Sequence, residues 1–399
     1  MNVAVAAGRG TQTEASFAAD PTRPALLVGA LGWSGTLNGN PGVFALYASA
    51  DGGARWRPTP APALPAGVCF YEAPRVGIDR GGRELVAFLA SSCNQTLTPY
   101  LLVSSRAGLG ARWSTPLRLA PRVGRWGFDD GPSLALDPRS GRAYLAWTRA
   151  VGAGFDIVTS TSADGGRTWS LPRRLSRALV DPHLASVAVG PHGEVYVAGI
   201  DAKLGLWIAR STDAARSFAP PRVAAPLFAN PAQAQCSLST DGPLPYELTR
   251  CIGPNPAVVV RGGRVFVVFA DNVVFVSALA PDLKPLFRVQ VNPTGKAQIF
   301  FPVAAADPSS GRLWACWYDT TFDSSAHRAW FTCSSSSGGR TWSPPERAAA
   351  VPTDPNDLFR TLPVLPALAA SAGGVHAFWP DGRNYQRGVN VFTTALRLR

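Results

Sequence analysis

The octapeptide Ser162-Ala163-Asp164-Gly165-Gly166-Arg167-Thr168-Trp169 recurs nearly unchanged at Ser49 to Trp56, and a chain that repeats so specific a segment is built from repeated units. Both copies fit S-x-D-x-G-x-x-W, through Ser49, Asp51, Gly53 and Trp56 and through Ser162, Asp164, Gly166 and Trp169. Each position suits a tight hairpin. The carboxylate accepts backbone N–H groups of the turn, the glycine takes dihedrals other residues avoid, and the indole covers the turn. Ser335 to Trp342 keeps the frame with Ser337 in place of the Asp, while Ser211 to Phe218 keeps Asp213 and replaces the glycines and the Trp. These residues satisfy a turn, so the motif is structural and not catalytic.

A second pattern extends the repeat: an apolar strand after a Pro, a D-P-x-x-G turn, then a strand ending in Trp or Phe. Asp130 to Trp147 is its clearest copy, and equivalent strand pairs start near Ser16, Pro74, Ala185, Pro256, Pro302 and Pro366. Seven four-stranded units follow, each in the range of roughly 40–50 residues of a propeller blade. The last unit supplies only three strands, through Val389 to Leu396, and Asn2 to Ala7 reads as the strand that completes it and closes the ring. Residues 223–253 are too long for a link between blades and read as a loop insertion stapled by Cys236 and Cys251.

The S-x-D-x-G-x-x-W pattern is the Asp-box, and the chain resembles the Asp-box β-propellers of the sialidase (neuraminidase) superfamily. The resemblance implies an all-β fold over residues 1–399 as a single β-propeller domain. Seven blades are expected, with a six-bladed sialidase-type ring as the alternative. It also implies a ligand site on the face opposite the Asp-boxes, which receives the starts of first strands and the ends of second strands. Two positions before the strand-opening Pro stand Glu72 and Asp130, and two positions after the Trp/Phe register stand Arg149, Asp201, Asp271, Asp319 and Asp381. Two readings of these acids are open. They form an acidic ring for a polyhydroxylated or cationic ligand or a metal ion such as calcium, or each caps a turn or pairs with an Arg, as Asp381 with Arg383.

Sialidase chemistry, carried over from the resemblance, requires an Arg triad for a carboxylate, a Tyr nucleophile activated by Glu, and an Asp acid/base. At the early strand the sequence reads Phe70-Tyr71-Glu72-Ala73-Pro74-Arg75, which puts Glu72 in the Arg position. Phe359-Arg360-Thr361-Leu362-Pro363 has similar letters in the last repeat, and Tyr318 beside Asp319 is the best-placed phenol. The four histidines show no zinc spacing, no other cofactor is implied, and His183 could face the channel.

The net charge of +12 rests almost wholly on Arg, with Lys only at 203, 284 and 296 and no basic run, which argues against nucleic acid as a partner. No apolar run approaches the ~20 residues of a membrane helix. The six cysteines pair locally once the repeats are aligned, as Cys69–Cys93, Cys236–Cys251 and Cys316–Cys333, which favours the exterior or the cell envelope. The expectation is a secreted monomeric module that binds a glycan or protein without intact sialidase chemistry. The alternative is an exo-acting glycoside hydrolase that uses carboxylates such as Glu72, Asp130 and Asp319.

Overall fold

A computed structural model describes residues 2–6, 11–37, 40–93, 95–119, 127–152, 154–226, 255–271, 273–293, 299–323, 327–354, 365–383 and 388–397. The strands form seven antiparallel four-stranded sheets, so the ring is a seven-bladed β-propeller and not the six-bladed alternative. The inner strands are Thr11–Ala19, Val68–Ile78, Asp129–Leu136, His183–Val189, Ala257–Arg261, Ile299–Ala306 and Ala367–Ser371. Second strands are Leu27–Leu37, Glu84–Ser92, Ala143–Val151, Val195–Asp201, Arg264–Asp271, Leu313–Asp319 and Gly374–Asp381. Third strands are Asn40–Ser49, Gln95–Arg106, Gly154–Ser162, Gly205–Ser211, Val273–Leu279, Trp330–Ser336 and Asn390–Leu396. No helix among the described residues is long and apolar enough to cross a membrane.

Second strands are covered on both faces by neighbouring sheets, which is why they read as continuous apolar runs. Phe88, Trp147, Phe269, Trp317 and Trp379 occupy one register of these strands, and each is 0% exposed. Blade 4 has Gly199 there. Its cross-strand partner Trp207 fills the space, since a Cβ on Gly199 would lie 2.7 Å from the indole. The ring closes as expected: Val3 and Ala4 pair with Thr393 and Phe392, so the amino end supplies the outer strand of the blade whose other strands come from the carboxyl end.

The Asp-box hairpins share one hydrogen-bond network. Ser49 Oγ and Ser162 Oγ donate to Asp51 and Asp164 at 2.8 and 2.9 Å, and the amides of Gly53 and Gly166 donate back to the hydroxyls at 2.8 Å. Blade 4 keeps the network without glycine, holding Ala215 at φ 60° while its amide donates to Ser211 Oγ at 3.0 Å. Burial would push the Asp164 carboxyl up, but hydrogen bonds from Thr168 and Ser162 hold it down at about 2.

Cys316 and Cys333 face each other on the second and third strands of blade 6 and are bonded, with Cα atoms 4.1 Å apart. Cys93 is also disulfide-bonded; the side chain of Cys69, together with Cys236, Cys251 and most of the 223–253 insertion, lies outside the described residues. The bridge closes a separation of 17 residues, a loop size for which chain-entropy arguments give about 3 kcal/mol. Cys316→Ser with Cys333→Ser is therefore expected to lose about 3 kcal/mol, read as a lowered urea midpoint, with any change of slope upward because the unfolded chain loses its cross-link. A midpoint equal to that of the unaltered protein would refute the expectation.

Candidate active site

Five of the seven inner strands open with a β-bulge. The ladder slips between Thr13 and Ser16, Glu72 and Arg75, Asp130 and Ser133, His183 and Ser186, and Phe300 and Val303. One residue in each slip has positive φ: Glu14, Ala73, Gly131, Leu184 and Phe301, between 48° and 56°. In blades 2, 3 and 6 the residue after it is Pro74, Pro132 or Pro302. A proline cannot donate to the ladder, so a bulge is where a sheet accommodates it. The bulge bends the strand and re-aims the side chain before it. That position holds Glu72, Asp130 and His183 on three successive blades.

These three form a charged cluster with two residues that the sequence patterns did not flag, Glu14 and Arg75. Glu14 is 9% exposed, and its carboxylate accepts the Ala73 amide across the blade 1–2 boundary. Burial pushes its carboxyl up to about 7, with Glu72 and Asp130 adding to the rise and Arg75 opposing it. Glu72 is half-buried and is likewise raised, by burial first and then by Asp130. Asp130 is exposed and accepts the Gly131 amide at 2.7 Å. Burial lowers His183, against the charges of Asp181 and Asp130. Its ring lies 4.4 Å from Phe155, which lies 6.0 Å from Phe128, so an aromatic rim flanks the acids.

Arg75 stands where three other blades carry a serine. At its register, blades 1, 3 and 4 carry Ser16, Ser133 and Ser186, and blades 5, 6 and 7 carry Ala257, Val303 and Ala367. Each hydroxyl accepts the amide of the next inner strand, from Val76, Val187 and Val258, at 3.0 to 3.1 Å. A guanidinium has no acceptor, so Arg75 gives up that tie between blades. Among the described residues it donates only to the Pro74 carbonyl, at 2.8 Å, and it lies within the fields of Glu14 and Asp130 without an ion pair. Ala257, Val303 and Ala367 forgo the same tie, so what sets Arg75 apart is a half-buried charge beside two carboxylates.

The residues at the second-strand ends lie on the same face, and most have their polar groups engaged. Arg149 pairs with the buried Asp129 at 2.8 Å, and Trp147 Nε1 binds the same carboxylate. Asp201 accepts amides from Val180, Lys203 and Leu204. Asp319 takes Trp317 Nε1 at 3.1 Å and the Thr321 amide at 2.6 Å, and Asp381 takes Trp379 Nε1 at 3.2 Å and pairs with Arg383 at 2.6 Å. Tyr318 is fully buried, donates to the Pro380 carbonyl, and is pushed well above its ordinary pKa by burial and by Asp381. Asp271 is half-buried beside the tight turn to Val273. The alternative of turn-capping acids thus describes Asp201, Asp319 and Asp381, whereas Glu72 and Asp130 join the cluster. Arg360 lies outside the described residues. Among those described, no group of three or more His, Cys, Asp or Glu is placed to hold a metal ion.

No protein-family model and no curated protein matches the chain. Solved structures do match. The GH93 α-L-arabinofuranosidase of Fusarium graminearum, in complex with arabinobiose, aligns with TM-score 0.54 and 13% identity over 99% of this chain and 97% of its own. A Hadza microbial sialidase aligns with TM-score 0.50 and 12% identity over 99% and 95%. A protein of unknown function from Dyadobacter fermentans aligns with TM-score 0.52 and 16% identity over 79% and 93%. Identities this low speak for the fold alone, and the fold is that of a sialidase-like β-propeller.

Proposed function

We propose that the protein is a glycoside hydrolase that holds a sugar unit at the channel mouth of blades 1 to 4. The observation that carries this reading is Arg75, a half-buried guanidinium set among Glu14, Glu72 and Asp130 without an ion pair among the described residues. Two features move the reading from binding alone to turnover. Glu72 is half-buried and raised by burial, and Asp130 is an exposed carboxylate on the adjacent blade, so the pair has the difference in environment that divides acid from base. Glu72 donates its proton to the glycosidic oxygen as the bond to the leaving group breaks, and Asp130 takes a proton from the water that attacks the anomeric carbon. Arg75 donates to sugar hydroxyls, and Phe155 with Phe128 offers an apolar wall to the ring face. Glu14 positions Glu72 through the Ala73 amide. The Cys316–Cys333 bond supports an oxidising compartment outside the cytosol.

The test is a panel of aryl glycosides of neutral sugars, with α-sialosides beside them. Turnover is expected on a neutral glycoside and not on the sialosides. On this face Arg149 and Arg383 are tied to carboxylates, whereas Arg75 has no ion pair among the described residues; a carboxylate substrate calls for three free guanidinium groups. Robust sialoside hydrolysis would overturn this reading.

A further inference from the structure

Three hairpins of the Asp-box face hold a carboxylate of their own. In blades 1, 3 and 4 the residue before the hairpin aromatic, Arg55, Thr168 or Ser217, donates its amide to Asp51, Asp164 or Asp213 at 2.9 Å. Thr168 and Ser217 also donate their hydroxyls to the second carboxylate oxygen at 2.6 Å.

Blade 6 has the same donors without the carboxylate. Thr332 faces Trp317 as Val158 faces Trp147, so Ser336, and not Ser335, stands where Ser162 stands. Its hydroxyl accepts the Gly339 amide at 2.7 Å, as Ser162 accepts that of Gly166. Between serine and glycine blade 3 has Ala163, Asp164 and Gly165, whereas blade 6 has only Ser337 and Gly338. The Asp position is missing. Beyond it the two hairpins agree again: Gly339 has φ 80° and Gly166 84°, and the indoles of Trp342 and Trp169 donate to the carbonyls of these glycines at 3.0 and 3.2 Å. Thr341 therefore holds the place of Thr168, and among the described residues neither its amide nor its hydroxyl has an acceptor.

Cations meet at the same hairpin. Arg264, at the first-to-second turn of blade 5, donates to the Gly338 carbonyl at 3.3 Å, and Arg312 donates to Ser335 Oγ at 3.3 Å. Arg340 lies over the Phe287 ring, 4.2 Å from its centre. None of the three has an ion pair among the described residues. The acid of the blade 6 turn, Asp307, is taken up by the hydroxyls of Ser309 and Ser310. The remaining hairpins differ. Blade 5 keeps Asp282, paired with Lys284. Blade 2 lacks the Asp, but its Ala111 amide donates to the Gly108 carbonyl at 3.0 Å, and Arg106 and Arg23 pair with Glu84 and Asp20. Water can serve an exposed amide or hydroxyl, but it does not offset the charge of guanidinium groups.

We propose that the blade 6 hairpin binds an oxyanion, the sulfate or phosphate ester group of a ligand, in the place that the Asp carboxylate takes in blades 1, 3 and 4. Thr341 gives it the amide and hydroxyl that Thr168 gives Asp164, and Arg264 and Arg312 supply charge-assisted hydrogen bonds. The site lies on the ring face opposite the carboxyl cluster, so a ligand held there leaves that cluster open.

Sodium sulfate and sodium phosphate, titrated against the full chain by isothermal titration calorimetry at constant ionic strength, test this, with sodium chloride as the control. Saturable one-to-one binding of sulfate or phosphate is expected, and the tighter of the two identifies the ester. Replacing Ser337-Gly338 by the Ala-Asp-Gly of blade 3 restores an internal carboxylate and should abolish binding. Arg264→Gln and Thr341→Val should each weaken it by about 10-fold or more. All three variants should keep their melting curves and leave glycoside turnover unchanged; if the Ala-Asp-Gly variant does not fold, the two substitutions decide. No saturable binding, equal binding of chloride, or binding indifferent to these variants would overturn the proposal.

Discussion

Glu72→Gln is expected to lower kcat by about 10²–10⁴ on a glycoside with a poor leaving group while leaving KM nearly unchanged. Gln preserves the size of the side chain and its place at the bulge, so the sugar still meets Arg75 and the aromatic rim. What it lacks is the proton. The leaving group separates this role from a merely structural one: a p-nitrophenolate departs without protonation, so the loss on that substrate should be far smaller than on an alkyl glycoside. Equal losses on both, or activity within threefold of the unaltered protein, would remove Glu72 as the acid. Saturable glycan binding without turnover of any glycoside would return the site to recognition alone.

The ring was legible because its signals are local and repeated. A hairpin that needs an Asp, a positive-φ glycine and a covering Trp writes all three into eight residues, and a second strand buried on both faces writes an unbroken apolar run. Closure was legible because three strands at one end and one at the other complete a sheet. The charged cluster was half legible. Glu72 and Asp130 were found by their distance from Pro74 and Pro132, the prolines that mark the bulges. Glu14 escaped because the blade 1 bulge has Ala15 in that place, so no proline flags it. Arg75 escaped because its meaning lies in Glu14 and Asp130, the carboxylates that the fold brings to it from blades 1 and 3, and letter spacing does not show that proximity. Asp201, Asp319 and Asp381 sit at one spacing for a different reason: the end of each second strand needs an acceptor for its turn amides.

Glu14 carries the second large effect, on stability and not on chemistry. Its carboxyl is raised from 4.5 to about 7 by burial, among Glu72, Asp130 and Arg75. A raised folded-state value means that the folded protein holds the proton more tightly than the unfolded chain. The contribution is fully present below pH 4.5 and is lost as pH rises through about 7. At about 1.4 kcal/mol per pH unit, the loss approaches about 3 kcal/mol. Glu14→Gln keeps an oxygen to accept the Ala73 amide and has no charge to bury, so it should exceed the unaltered protein by under about 1 kcal/mol near pH 5 and by up to about 3 kcal/mol near pH 8.5. His183 and His376 titrate in the opposite sense, since burial lowers both and their contributions are lost as pH falls below 6.5. They are common to both proteins, so the difference between the two curves isolates Glu14. Urea unfolding at pH 5, 7 and 8.5 measures it. A difference that stays flat across that range would mean that Glu14 remains ionised in the folded protein and that its bond to Ala73, not its burial, governs its proton.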